Sequence, residues 1–341
     1  MTQTSPLRIA IAGAGAVGCF TGGLFAAGGH HVTLLGRQSV LSVIKEQGLR
    51  VSDYTGLDVP VPKENLTLSE DADALSRQDL VIVAVKSLAT EDMAHLIRDQ
   101  AARATRVVSF QNGMSNTSKL RAILAQHDVR AAMVPFNVVM NGPGWFHRAS
   151  SGDVVIGTGA DNASPDLASL LSQPALPITE SAMIENVQWG KLLINLNNAL
   201  NALSGLPLKE QLGDRAWRRV MAAQMAEALR VFRAKGIQPV SPAPVPAGLL
   251  PFILRLPTPI FTRIASAMLS IDPHARLSMA QDLDAGRLTE IDELQGHILR
   301  MANSCDVQTP VNAAVFDAIR RAEKHGLGAD RPSPESLYQQ N

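Results

Sequence analysis

At 341 residues, with 31 Lys plus Arg balanced by 31 Asp plus Glu, the chain has room for two ordinary domains and carries a formal net charge of zero. No global field draws it to nucleic acid or to an anionic membrane, so an acidic ligand has to be held by local groups. Two cysteines, Cys19 and Cys305, are too few for a secreted disulfide framework and lack metal-ligand spacing, which points to a reducing cytoplasm and to no metal.

The first half alternates short β-branched runs, at 7–12, 32–35, 80–85 and 106–110, with helical patterns. That alternation predicts a parallel sheet with crossover helices. Further extended runs at 131–139 and 154–157, with a turn at Asn141-Gly142-Pro143-Gly144 able to join them, are expected to extend the sheet. The apolar stretch 9–29 is not read as a leader: no basic segment precedes it, and its glycines have a different meaning.

Gly13-Ala14-Gly15-Ala16-Val17-Gly18 follows the first strand directly and opens an Ala/Gly-rich helix. In that context the first glycine permits a tight turn, the second lets backbone approach a pyrophosphate, and the third lets helix and strand pack closely. Amides at the helix N-terminus then face the phosphates, so a Rossmann-type dinucleotide site is expected. The second strand ends Leu34-Leu35-Gly36-Arg37. Gly36 takes the place where an acid would bind the ribose 2′-hydroxyl of NAD, and Arg37 is a cation able to pair with the 2′-phosphate of NADP. NADP is therefore the expected cofactor.

From about residue 184 apolar residues recur at three and four residue spacing, through 203, 217–232 and 291–302, which predicts an all-helical second domain. A single helix from Gln188 to Leu203 would place Lys191, Asn195 and Asn198 within roughly 60° of one another, an ammonium and two amides on one face. Asparagine pairs disfavour a helix interior unless they have partners, so this face is a candidate site. The Pro-rich stretch 239–259 interrupts the pattern and is expected to be a long loop with one short helix. The apolar region 249–269 could contribute a homodimer contact, but its prolines and arginines rule out a spanning helix. The expected layout is an NADP-binding Rossmann domain over 1–182, a helical catalytic domain over 183–330 and a flexible tail over 331–341.

Taken together and in order, several motifs resemble the ketopantoate reductase (2-dehydropantoate 2-reductase) family. They are Gly13 to Gly18, Val85-Lys86 at a strand end, Phe110-Gln111-Asn112-Gly113, the Lys191 helix, Ser278-Met279 and Thr289-Glu290-Ile291-Asp292. The resemblance implies stereospecific hydride transfer from NADPH to the 2-keto group of ketopantoate, yielding pantoate for pantothenate and coenzyme A synthesis. It implies Lys191 as the catalytic lysine, Asn195 and Ser278 as substrate-binding residues, and Asn112 near both nicotinamide and substrate. It also implies Lys86 as a cofactor contact and Glu290 as an active-site glutamate close to the cofactor. Three features depart from the family: Ala199 and Ala275 stand where asparagines are common, with Asn198 one position before Ala199 and able to bind substrate in its place, and the Pro-rich stretch 239–259 is longer than in compact members. Reduction of another small 2-oxo acid is the nearest rival, and a non-catalytic NADP-binding regulator is a rival of a different class.

Overall fold

The computed structural model describes residues 5–159, 166–241, 245–265, 275–326 and 331–338. Two compact units divide the chain, Met1–Glu185 and Asn186–Asn341. The sequence places the boundary three residues earlier.

Among its described residues the first unit has twelve strands: β1 (Arg8–Ala12), β2 (His31–Leu35), β3 (Arg50–Asp53), β4 (Asp58–Pro60), β5 (Leu66–Ser69), β6 (Leu80–Val83), β7 (Arg106–Ser109), β8 (Val129–Met133), β9 (Val138–Gly142), β10 (Trp145–Arg148), β11 (Val154–Gly157) and β12 (Ile178–Ser181). Eight of them form one sheet in the order β12-β11-β8-β7-β6-β1-β2-β5. From β5 to β8 all pairs are parallel, and their order is that of a doubly wound dinucleotide fold. β11 turns antiparallel to β8, and β12 runs parallel to β11. The central strands are continuous apolar runs, Ile9 to Ala12 and Leu80 to Val83 all fully buried, as strands covered on both faces must be.

A second sheet, β4-β3-β10-β9, was not foreseen. The run at 131–139 divides between the two sheets, because Pro135 has no N–H for a ladder and Asn137 gives its own to the Ser150 hydroxyl at 2.9 Å. The Asn141–Gly144 turn consequently joins β9 to β10, not to 154–157. Between the sheets lies α1 (Ala16–Ala27), buried continuously from Gly18 to Ala26. A Cβ on Gly22 would fall 2.9 Å from Ile11 and Leu34 of one sheet, and one on Gly23 would fall 2.7 Å from Val51 of the other. Small residues are what allow a helix to be covered on two sides. The remaining helices of this unit are α2 (Gln38–Gln47), α3 (Thr90–Gln100), α4 (Ser115–Ile123) and α5 (Leu167–Leu171).

The second unit is helical among its described residues: α6 (Ile184–Asn195), α7 (Asn197–Ser204), α8 (Leu208–Gly213), α9 (Arg215–Ala234), α10 (Leu250–Arg255), α11 (Thr258–Ile264), α12 (Ser278–Asp284), α13 (Gln295–Asn303), α14 (Pro310–His325) and α15 (Pro334–Tyr338). Two charged side chains on α9 are buried and organise it. Arg218 donates to the carbonyls of Leu212, Gly213, Leu254 and Leu256, the frayed carboxyl ends of α8 and α10. Glu227 accepts from the amides of Val311 and Asn312 at the amino end of α14. Each charge thus meets the helix terminus of opposite partial charge and satisfies backbone groups that a helix end leaves over.

Four expectations change here. The helix Gln188 to Leu203 is interrupted at Leu196. The periodic run 291–302 is a 3-10 turn, Ile291–Glu293, followed by α13, with Leu294 at φ −104° and ψ −96° between them. The Pro-rich stretch holds α10 and the start of α11, since proline is admissible in a helix's first turn. In place of a frayed tail, 334–338 form α15, with Leu337 buried and the Arg219 guanidinium 5.5 Å from the Tyr338 ring centroid. Residues 339–341, and 266–269 of the apolar region, lie outside the described residues. No helix among the described residues is long and apolar enough to cross a membrane.

Candidate active-site residues

β1 delivers the chain to Gly13, whose φ of +121° already favours glycine. A Cβ there would stand 2.6 Å from the amide nitrogen of Val85, so no other residue fits. The amides of Gly13 and Ala14 both donate to the carbonyl of Leu35, at 3.0 and 3.1 Å, which ties the turn to the end of β2. Gly15 is exposed and a Cβ on it would meet nothing within 4 Å, while a Cβ on Gly18 would fall 2.1 Å from the Gly13 carbonyl oxygen. Turn, open approach and close packing are thus divided among the three glycines. No side chain caps α1 and its first turn holds no acid. The amides of Ala16, Val17 and Gly18 therefore lack helical acceptors and suit an anionic group.

A Cβ on Gly36 would lie 2.4 Å from that of Ala14, so an acidic residue has no room at the end of β2 without displacing the loop. Arg37 is exposed, and among the described residues nothing pairs with its guanidinium. Lys86 is exposed at the start of the 3-10 turn Ser87–Ala89, beyond the carboxyl end of β6. Half-buried Asn112 lies beyond the end of β7. What holds these two loops was not legible beforehand. Gln111 donates to the Val85 carbonyl (3.0 Å) and the Thr90 hydroxyl (2.7 Å), and Thr90 donates to Asn116 (3.0 Å). Asn116 in turn donates to the Ser87 hydroxyl (2.9 Å) and the Asn112 carbonyl (2.6 Å). This buried amide-hydroxyl network locks the Lys86 and Asn112 loops together, and its only advance signal was Gln111 inside the Gln-Asn-Gly motif.

In the helical unit Lys191 sits on α6, and burial lowers its ammonium to a pKa of about 8. Asn195, one turn on, is buried, and among the described residues nothing hydrogen-bonds its amide. Leu196, between the two helices, keeps right-handed helical angles (φ −55°, ψ −24°), and Asn198 falls in α7; its amide donates to the Ser278 hydroxyl at 3.5 Å, at the start of α12. The other asparagines are structural: Asn197 exchanges hydrogen bonds with Gln211, and Asn201 binds the Leu206 carbonyl and the Leu277 amide. Gln295 was missed altogether. Fully buried, it donates to the Leu196 carbonyl at 2.8 Å and so clamps the junction between α6 and α7. Glu290 is half-buried and opens the 3-10 turn that leads to Gln295. Among the described residues no cluster of His, Cys, Asp and Glu could hold a metal.

Residues 9–161 match the family described as "Ketopantoate reductase PanE/ApbA", and residues 183–323 match "Ketopantoate reductase PanE/ApbA C terminal". The chain belongs to the ketopantoate reductase family. It is thus an oxidoreductase of the 2-dehydropantoate 2-reductase type, in a family that uses NADPH. A 2-dehydropantoate 2-reductase of Halobacterium salinarum is 30% identical over 331 residues, covering 94% of this chain and 100% of that one. The crystal structure of a PanE/ApbA family ketopantoate reductase from Ralstonia eutropha superposes with a TM-score of 0.78 at 31% identity, covering 94% of this chain and 99% of that one. A D-mandelate dehydrogenase solved with NADH and anilino(oxo)acetate shares the fold, with a TM-score of 0.76 at 24% identity, covering 93% and 99%.

Proposed function

We propose that the protein reduces 2-dehydropantoate to pantoate with NADPH. The observation that carries this reading is Lys191, an ammonium brought by burial to about 8, one helical turn from the Asn195 amide, which is unbonded among the described residues. An acid of that strength is largely protonated at neutral pH yet releases its proton readily, the condition for general-acid catalysis.

The open side of Gly15, the first-turn amides of α1 and Arg37, unpaired among the described residues, fit a dinucleotide carrying a 2′-phosphate. When bound, NADPH supplies a hydride to the 2-oxo carbon. The residues of this chain do the rest. Lys191 stabilises the negative charge growing on the carbonyl oxygen and gives it a proton. Asn195, Asn198 and the Ser278 hydroxyl orient the 2-oxo acid, while Lys86, Asn112 and Glu290 are assigned to cofactor and substrate contacts. Retaining Lys191 and Asn195 speaks against a regulator that binds NADP without turnover.

Reduction of another small 2-oxo acid stays in view on one observation: Ala199 and Ala275, where asparagines are common in the family, are both buried and carry no polar group. A panel of 2-oxo acids assayed with NADPH and read as kcat/KM decides between them. Ketopantoate is expected to rank first; a higher kcat/KM for a different 2-oxo acid would reassign the substrate, and no turnover of any would favour the regulator.

A further inference from the structure

Gly190 stands inside α6 directly before Lys191, a place where glycine weakens a helix relative to alanine. A backbone explains it. A Cβ on Gly190 would lie 1.7 Å from the carbonyl oxygen of Val240 and 2.6 Å from its carbonyl carbon. Val240 also donates its N–H to the carbonyl of Asn186, one turn earlier on α6, at 2.8 Å. Both polar groups of one peptide residue are therefore seated on a single turn of this helix. Pro239 contributes a fixed φ and no competing N–H. The Trp189 ring on the same turn packs 5.1 Å from the ring of Phe232 on α9 and 5.4 Å from that of His297 on α13, centroid to centroid. The helix is gripped at 186, 189 and 190 just before the lysine, and by Gln295 at Leu196 just after it.

We propose that the segment 239–241, the start of the Pro-rich stretch, is a positioning strap for Lys191, with Gly190 as the residue that admits it. The proposal rests on Lys191 being the proton donor. A lysine side chain is long and flexible, so where its ammonium reaches is set by how firmly its backbone is held. A misplacement of about 1 Å in a reacting group can cost on the order of 100-fold in rate. The contacts of Val240 fall on the backbone of Asn186 and Gly190 beside Lys191, which makes the strap a positioning element rather than a catalytic one.

Two variants test it from opposite sides of the contact. Gly190→Ala puts a methyl group into the Val240 carbonyl, and Val240→Pro removes the N–H that binds Asn186. In the full-length protein, kcat at saturating 2-oxo acid is expected to fall about 10-fold in both, with the NADPH dissociation constant unchanged within about two-fold. Glu227→Gln, which loosens the contact between α9 and α14, serves as the control: it should lower Tm without lowering kcat. The proposal is overturned if kcat stays within about two-fold of wild type in a folded strap variant, or if Glu227→Gln lowers kcat equally at a matched loss of Tm. If Gly190→Ala does not fold, Val240→Pro, altered on an exposed residue, carries the test. Lys191→Ala separates the two claims: full activity in that variant sinks the proton-donor reading itself, whereas lost activity there beside normal strap variants sinks the strap alone.

Discussion

The glycine loop after β1 and the lysine helix α6 do different work by different means. In the proposed function the loop recognises with backbone: Gly13 and Gly18 have no room for a Cβ, Gly15 leaves an open approach, and the groups offered to the cofactor are amides. The lysine helix is proposed to act through side chains, Lys191 and Asn195, which owe their properties to burial and to contacts distant in sequence. A backbone device is written in local spacing, whereas a side-chain device depends on everything packed around it. Substitutions in the two regions should therefore fail in different measurements.

Lys191→Ala gives the largest separation. Loss of a positioned acid lowers kcat by roughly two to four orders of magnitude, while NADPH affinity, measured by fluorescence titration, stays near wild type because the loop is untouched. A wild-type kcat at saturating ketopantoate would remove Lys191 from the mechanism. Gly18→Ala is the converse: its methyl group meets the Gly13 carbonyl, displaces the loop, and should weaken NADPH binding by on the order of 100-fold, with the substrate KM little changed once NADPH saturates. Unaltered NADPH affinity would show that the loop does not hold the cofactor.

Arg37→Ala probes the one side-chain feature of the loop region. Losing a charge-assisted contact worth about 1.5–3 kcal/mol raises KM for NADPH roughly 10- to 100-fold, and KM for NADH hardly at all. Equal effects on both cofactors would mean that the guanidinium does not read the phosphate. The pH profile probes α6. Its lysine is charged below about 8, well under the usual 10.5, because burial disfavours the ammonium. With Lys191 as the proposed proton donor, reduction needs its protonated form, so kcat should hold below about pH 8 and fall by about 10-fold per unit above it. A plateau reaching pH 10 would contradict a desolvated lysine acid. The smallest effect belongs to stability: Glu227→Gln weakens three bonds from Val311 and Asn312 to one carboxylate, costing about 1–3 kcal/mol. Calorimetry would register it as a lower Tm, and an unchanged Tm would deny Glu227 its capping role.

Much of this was readable beforehand, for reasons that differ by element. The parallel core was visible because strands buried on both faces must be continuous apolar runs, and β11 falls on the expected residues. The small sheet was not, since β3 and β4 are only four and three residues long and β3 pairs on its other side with β10, which is remote in sequence. Lys191 and Asn195 stood out as polar groups on an apolar helix. Asn197 and Asn201 have the same residue type in the same stretch, yet they serve Gln211, Leu206 and Leu277. Composition cannot tell a ligand-binding amide from a structural one when the deciding partner lies elsewhere in the chain.

The sequence by itself determined the nucleotide loop, the apolar runs of the parallel core, the absence of an acid at the end of β2 and the residue types of the lysine helix. Each is a local matter of steric size, strand period or charge. Tertiary structure alone decided that α6 stops at Leu196, that Asn198 turns to Ser278, that the Lys86 and Asn112 loops share one buried network, and that Val240 lies on Gly190. The physical reason is range. A glycine's missing Cβ acts wherever the chain places it, but a lysine's proton affinity and an amide's free valence are set by groups tens of residues away, which only folding brings within hydrogen-bond reach.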